Sequence, residues 1–353
     1  MTLGRAVRAR IAEPLMRATA SVALPAARTS IGANAFDAGF RYEALLRREL
    51  DRCERLLGRS TGHRSVRDRR RRAELEHRRR LAPGRPAAGP GIPEVFWHGP
   101  DRVGDGRPVV VLLNGWTASG LVWPTALVDR LTERHDVVRI DNRGTGYSRT
   151  APTPFTIARM ADDVVDVLDA IGAPAATLVG LSMGGMIAQE VAIRHPASVE
   201  RLVLCGTRPA APAGFAPGDA VLADVMSTPA RGEPLRDFVE RSWSNVVAPE
   251  FASARPEAMD ELVDRIVERP TPRAGVFAQL RAISIWHGSD RLRLVRAPTM
   301  VIHGRDDPLI PVGNGMRLAQ LIPGARYVEL PGVGHIVPFE ATDAVGDAVV
   351  GAP

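Results

Sequence analysis

Apolar positions along the chain change their rhythm near residue 92. Before it, the segment 35 to 59 places Phe36, Phe40, Leu46, Leu50, Cys53 and Leu57 at steps of three and four, which predicts an amphipathic helix. The stretch 62 to 80, GHRSVRDRRRRAELEHRRR, is almost free of apolar residues, and LAPGRPAAGPGIP (81 to 93) reads as a Pro/Gly-rich linker that marks a boundary. After it, short apolar runs alternate with helical stretches. PVVVLLNG (108 to 115), HDVVRID (135 to 141), ATLVGLS (176 to 182), VERLVLCG (199 to 206), APTMVIHG (297 to 304) and ARYVELPG (325 to 332) predict strands. Helical periodicity falls at 158 to 172, 184 to 196 and 313 to 324. Near-continuous apolar strands alternating with helices predict an α/β fold with a mainly parallel sheet covered on both faces, in which chemistry collects at the carboxyl ends of the strands.

One interval breaks the alternation. Between Thr207 and about Arg296 the segments EPLRDFVERSW and PEAMDELVDRIVERP read as short helices, and the interval is too long for a plain loop. A helical cap over the active site, spanning 207 to 296, is the economical expectation. The domain plan is then a basic, partly helical extension (1 to 91), a core from 92 to 206 and 297 to 353, and the cap between the core's two parts.

Charge follows the same division. Residues 1 to 91 hold 21 Arg against 9 acidic residues, a net of +12, while residues 92 to 353 hold 25 Arg against 31 acidic residues, a net of −6. The basic character of the chain thus belongs to its extension. That arm invites contact with an anionic surface or a protein partner. Nucleic acid is not expected, because aromatics are few and Asp68, Glu74 and Glu76 interrupt the Arg cluster from Arg64 to Arg80, which reads as a solvated, partly disordered or helical arm.

All 46 basic residues are Arg, so a Walker lysine, a Schiff-base lysine and a Ser-Lys dyad are excluded. Two cysteines, Cys53 and Cys205, make neither a disulfide framework nor a metal-ligand set, and Cys205 at the end of RLVLC reads as a small buried hydrophobe. No run of eighteen apolar residues occurs. Arg17 and Pro25 interrupt any signal-peptide core, so a cytoplasmic location is expected, with peripheral membrane association open through the arm.

The candidate chemistry centres on Gly180-Leu181-Ser182-Met183-Gly184, which directly follows a predicted strand and directly precedes a helix. That context suits a nucleophile elbow, in which a sharp turn lifts the serine hydroxyl above the sheet and small flanking residues let backbone approach. A phosphate cradle is excluded by the missing lysine and by the absence of G-x-G-x-x-G. A serine hydroxyl needs a base, and the base needs an orienting group. IHGRDDPLIP (302 to 311) offers Asp306 and Asp307 after one strand, and PGVGHIVPFE (331 to 340) offers His335 after the next.

These three motifs, in the order Ser, Asp, His, resemble the α/β-hydrolase superfamily, in particular its cap-bearing esterase and lactonase branch, over residues of about 92 to 353. The resemblance implies Ser182 as nucleophile, His335 as general base and Asp307 as orienting acid. Asp307 is preferred to Asp306 because the family places the acid three residues after the Gly that ends this strand, here Gly304. The oxyanion hole would use the backbone N–H groups of Met183 and Trp116, where this chain writes Asn114-Gly115-Trp116 in place of the family's His-Gly-x. The implied reaction is hydrolysis of a small-molecule carboxylic ester, lactone or thioester through an acyl-enzyme, with no metal or organic cofactor. Acyl transfer, carbon–carbon hydrolysis and perhydrolysis share the same residues, and a non-catalytic binding protein on this scaffold is the remaining alternative. DNRGTGYS (141 to 148) and His303 are expected to be structural, His287 a solvated turn, and Asp162 and Asp163 an exposed helix face. Trp116 and Trp123 suit either a pocket wall or the core.

Overall fold

A computed structural model of the protein describes residues 63 to 82, 92 to 104, 106 to 151, 154 to 216 and 218 to 351. The helix expected over 35 to 59 and most of the linker lie outside the described residues. Seven strands form one sheet: β1 (Trp97–His98), β2 (Val109–Leu113), β3 (Asp136–Ile140), β4 (Ala176–Leu181), β5 (Val199–Cys205), β6 (Thr299–Gly304) and β7 (Arg326–Leu330). Their order is β1-β3-β2-β4-β5-β6-β7. Only β1 runs antiparallel, pairing Trp97 with Ile140 and His98 with Arg139; the other five pairings are parallel. The six runs expected as strands all appear, while β1 is too short to leave a periodic signal.

The strand sequences explain the layering. Every residue of β2 and β4 is buried, as strands covered on both faces require. On one face the core gathers Val111, Leu113, Leu178, Leu202 and Leu204 with the helix Ile157–Ile171; on the other it gathers Val110, Leu112, Val179 and Val203 with the helices Thr125–Thr132 and Thr342–Val350. Ile157–Ile171 starts where Thr156 Oγ1 accepts the Arg159 N–H and stops at Gly172, whose φ of 78° suits glycine. Met183–Arg194, which follows β4, is buried on nearly all sides, so it lacks an amphipathic stripe, and its buried polar residues are paired, Gln189 with the Gly185 carbonyl and Glu190 with Arg291.

Between β5 and β6 lie the helices Asp219–Val225, Leu235–Ser244, Phe251–Ala254, Pro256–Glu268 and Arg273–Ser284. They bury Val239, Val246, Phe251, Met259, Leu262 and Val263 together with Ala118 and Val122 from the loop after β2, Ile336 from the loop after β7 and Phe339 from the short helix Val337–Glu340. The helical insertion is thereby packed directly onto loops at the carboxyl ends of the strands.

Two expectations need correction. The Arg-rich stretch is a helix, His63–Leu81, but it is not wholly solvated: Glu74 and Arg78 are buried against the body. Arg78 donates to the carbonyls of Tyr147 (2.7 Å) and Glu94 (3.1 Å), and Glu74 takes a 2.6 Å ion pair from Arg269, whose guanidinium stacks 3.7 Å from the centroid of Tyr147. Charge density hid this docked face, since charged residues bury only when paired. Asp163, expected on an exposed face, is 2% exposed and bonds Arg143 bidentately at 2.5 and 2.6 Å. Burial lifts its carboxyl to about 6, with the two guanidinium bonds opposing. Its partner stands in DNRGTGYS, 20 residues earlier in the chain, where the periodicity of the helix does not report it. Among the described residues no helix is long and apolar enough to cross a membrane.

Candidate active site

The carboxyl ends of five strands, β2, β4, β5, β6 and β7, contribute to the site. At the end of β4, Ser182 adopts φ 54° and ψ −118°, one of two non-glycine residues with positive φ among the described residues. Such a conformation costs about 1–3 kcal/mol and persists only where the surroundings impose it. Here Ser182 N–H donates to the Cys205 carbonyl (3.0 Å), and its own carbonyl accepts from Thr207 Oγ1 (2.6 Å). Its hydroxyl does not cap the helix that follows. The flanking glycines are there for close approach. A Cβ on Gly184 would lie 1.9 Å from the Leu113 carbonyl oxygen, and one on Gly180 would lie 2.5 Å from the Gly184 oxygen.

The loops after β6 and β7 bring His335 and Asp307 together. His335 Nδ1 lies 2.8 Å from Asp307 Oδ2, and both residues are buried. Asp307 Oδ1 accepts the N–H groups of Leu309 (2.9 Å) and Ile310 (2.7 Å), which fixes the carboxylate plane. Burial pushes this carboxyl up, but the His335 imidazole and hydrogen bonds from His303 and His335 outweigh it and hold the group below its ordinary 3.8. Asp306, by contrast, is exposed and accepts the Gly332 N–H at 2.8 Å. A Cβ added at Gly206, the residue after β5, would lie 3.5 Å from both Asp307 Oδ2 and His335 Nδ1. Because Cys205 bonds Ser182, Gly206 links the serine turn to the imidazole–carboxylate pair.

The loop after β2 closes the other side. A Cβ on Gly115 would lie 3.7 Å from Ser182 Oγ. Among the described residues, no protein acceptor takes the N–H of Trp116 or of Met183. Asn114, which stands where the resemblance leads one to expect His, does that residue's structural work: its amide donates at 2.6 Å to the carbonyls of both Ser119 and Val122. Trp116 is half-buried with its indole N–H on the Val276 carbonyl (2.9 Å), whereas Trp123 is a core residue beside Leu112 and Leu127. Asp141, in DNRGTGYS, accepts from the N–H groups of Gly120 and Tyr147, each at 2.7 Å, in keeping with a structural loop. His303 donates to the Ile310 carbonyl (2.8 Å), and His287 is exposed.

Glu340 was not singled out from sequence. Its carboxylate accepts the N–H groups of Gly334 (2.6 Å) and Ile336 (2.9 Å), on either side of His335, and that of Ala248 (2.8 Å) from the insertion. Burial raises its carboxyl above the ordinary 4.5 despite those three donors. Nothing in its spacing marks it, since backbone N–H groups carry no side-chain signature.

The sequence pattern of the alpha/beta hydrolase fold matches residues 108–342. The chain belongs to the alpha/beta-hydrolase family. This alpha/beta hydrolase is 30% identical over 245 residues to a protein of Caulobacter vibrioides named as a carbamate hydrolase, RutD, covering 67% of this chain and 86% of that one. It is also 30% identical over 259 residues to a protein of Mycobacterium tuberculosis named as a non-heme bromoperoxidase, BpoC, covering 71% and 95% of the two chains. Among solved structures, the enol-lactonase from Burkholderia xenovorans superposes with a TM-score of 0.61 at 28% identity, covering 74% of this alpha/beta hydrolase and 97% of that chain.

Proposed function

We propose that this alpha/beta hydrolase cleaves carboxylic ester-type bonds through an acyl-enzyme on Ser182. The observation that carries the reading is the His335–Asp307 pair at 2.8 Å, which flanks Gly206, the residue after Cys205, whose carbonyl accepts the N–H of a serine in a strained strand-to-helix elbow. Asp307 accepts from His335 Nδ1, which leaves Nε2 as the basic nitrogen. Nε2 takes the Ser182 proton as Oγ bonds the carbonyl carbon, and the resulting oxyanion is received by the N–H groups of Trp116 and Met183. Collapse breaks the bond to the leaving oxygen, which receives the proton from Nε2. Water, deprotonated by the same nitrogen, then releases the acid and frees Ser182.

The named activities of the relatives support a reactive carbonyl flanked by a heteroatom. A lactone, an ester and a carbamate all present one, so the common step is attack at such a carbon. The relative named as a bromoperoxidase favours a second reading, in which hydrogen peroxide replaces water at the deacylation step and a peracid leaves. Both readings need the same acyl-enzyme.

A p-nitrophenyl ester series from short to long acyl chains tests the proposal, with wild type set against Ser182→Ala. Hydrolysis that disappears in the variant, with fluorophosphonate labelling confined to Ser182, is the expected result. A wild type inert to both esters and fluorophosphonate would refute it and favour a non-catalytic binding protein. The Arg-rich extension is proposed to associate with an anionic surface through Arg69 to Arg72, Arg79 and Arg80, which are exposed while Glu74 and Arg78 of the same helix are buried. Sedimentation with phosphatidylserine vesicles at low salt should retain the full chain and lose it when these arginines become Gln.

A further inference from the structure

The second non-glycine residue with positive φ among the described residues is Thr117, at 66°. It directly follows Trp116, the proposed oxyanion donor. A β-branched residue in this region is an outlier that its neighbours must enforce. Those neighbours come from the helical insertion, not from the core. Thr117 N–H donates to Gln279 Oε1 (2.9 Å), Thr117 carbonyl accepts from Thr271 Oγ1 (2.7 Å), and the Trp116 indole reaches the Val276 carbonyl (2.9 Å).

Gln279 is wholly buried and committed at both ends of its amide. Its Nε2 donates to the Arg143 carbonyl at 2.8 Å, and Arg143 is locked by Asp163. The helix that carries it, Arg273–Ser284, touches the same loop through backbone: a Cβ on Gly275 would lie 2.2 Å from the Gly144 oxygen. Gln279 therefore has little freedom to follow the loop, and the loop must follow Gln279. A polar side chain is otherwise out of place on this buried helix face, beside Gly275 and Ala282.

We infer that Gln279 is a positioning residue, which holds the Trp116–Thr117 turn in its strained form so that the Trp116 N–H points at the developing oxyanion. The inference rests on the proposed acyl-enzyme reaction. It couples the insertion to chemistry, since Gln279 touches no reacting atom and acts through the turn. Losing this grip lets Thr117 relax toward negative φ, which turns the Trp116–Thr117 peptide, and the compensating torsions at Trp116 carry its N–H out of line.

The test uses the full chain with Gln279→Met, which has similar length and no hydrogen bonds, and Thr271→Val, a half-buried site less exposed to folding failure. The readouts are kcat and KM on a p-nitrophenyl ester, and binding of an acyl-matched trifluoromethyl ketone, which forms a tetrahedral oxyanion, against the matching carboxylic acid, which does not. Removing an oxyanion donor outright costs about 10²–10³ in kcat, so a misaligned donor should cost roughly 10–100-fold for Gln279→Met and less for Thr271→Val. KM and carboxylic acid binding should stay within about 2-fold, and trifluoromethyl ketone binding should weaken in proportion to kcat/KM. Equal loss of ketone and acid binding, or an unchanged kcat in both variants, would overturn the inference while a reactive wild type leaves the proposed function standing. A wild type that neither labels with fluorophosphonate nor binds the ketone overturns both.

Discussion

Replacing Asp307 by Asn is the most informative single change, because the structure dictates how the new amide must sit. Asp307 Oδ1 accepts two backbone N–H groups, Leu309 at 2.9 Å and Ile310 at 2.7 Å, while Oδ2 faces His335 Nδ1 at 2.8 Å. An Asn oxygen must take the Oδ1 place, since an NH2 there would confront two donors. The amide nitrogen then faces His335 and donates to Nδ1. That fixes the imidazole with its proton on Nε2, so the nitrogen turned toward Ser182 can no longer accept one. A tautomer locked in this way costs about 10⁴ in kcat, equivalent to about 5 kcal/mol of transition-state stabilisation. Stability should change far less, because the two backbone bonds survive. The assay is kcat on the best p-nitrophenyl ester, beside Asp306→Asn as an isosteric neighbour whose exposed carboxylate bonds only the Gly332 N–H among the described residues. Asp306→Asn should stay within about 2-fold. Asp307→Asn retaining more than about a tenth of wild-type activity, or Asp306→Asn losing more than Asp307→Asn, would refute the assignment.

Asp307 also predicts a pH dependence. Its folded-state carboxyl titrates below its ordinary 3.8, so the stability it contributes is present above that value and is lost as pH falls through the depressed folded value. In urea titrations across pH, the gap between wild type and Asp307→Asn should therefore be constant at neutrality and close in acid; a gap that widens on acidification would contradict the sign. Gly184→Ala should destabilise by at least about 3 kcal/mol and abolish activity, because its Cβ would lie 1.9 Å from a backbone oxygen, whereas Gly218→Ala, whose Cβ meets nothing within 4 Å, should melt with wild type. Glu74→Gln should cost about 3 kcal/mol in urea unfolding, as expected when one partner of a buried ion pair is removed, with Asp68→Asn neutral; equal stabilities would show that the arginine-rich helix does not rest on the body.

What could be read from the sequence was local. The six longer strands follow from continuous apolar runs, which only a sheet covered on both faces can bury, and the serine elbow from two glycines that leave room for backbone. Ser182, Asp307 and His335 each stand within five residues of the carboxyl end of such a strand, so their convergence follows from the parallel topology that the alternation of elements implied. Only the tertiary structure decided matters that depend on which backbone groups meet. It placed Asp307 rather than Asp306 on His335, although both carboxylates follow the same strand. It turned Asp163 and Glu74 inward, where distant arginines pair them, and set Asn114 to hold its loop through the carbonyls of Ser119 and Val122. It also brought Gln279 and Glu340 to the loops on either side of Ser182. Their partners are main-chain N–H and carbonyl groups, which are chemically alike at every position of the chain. A sequence specifies such contacts only through the fold that brings them within reach.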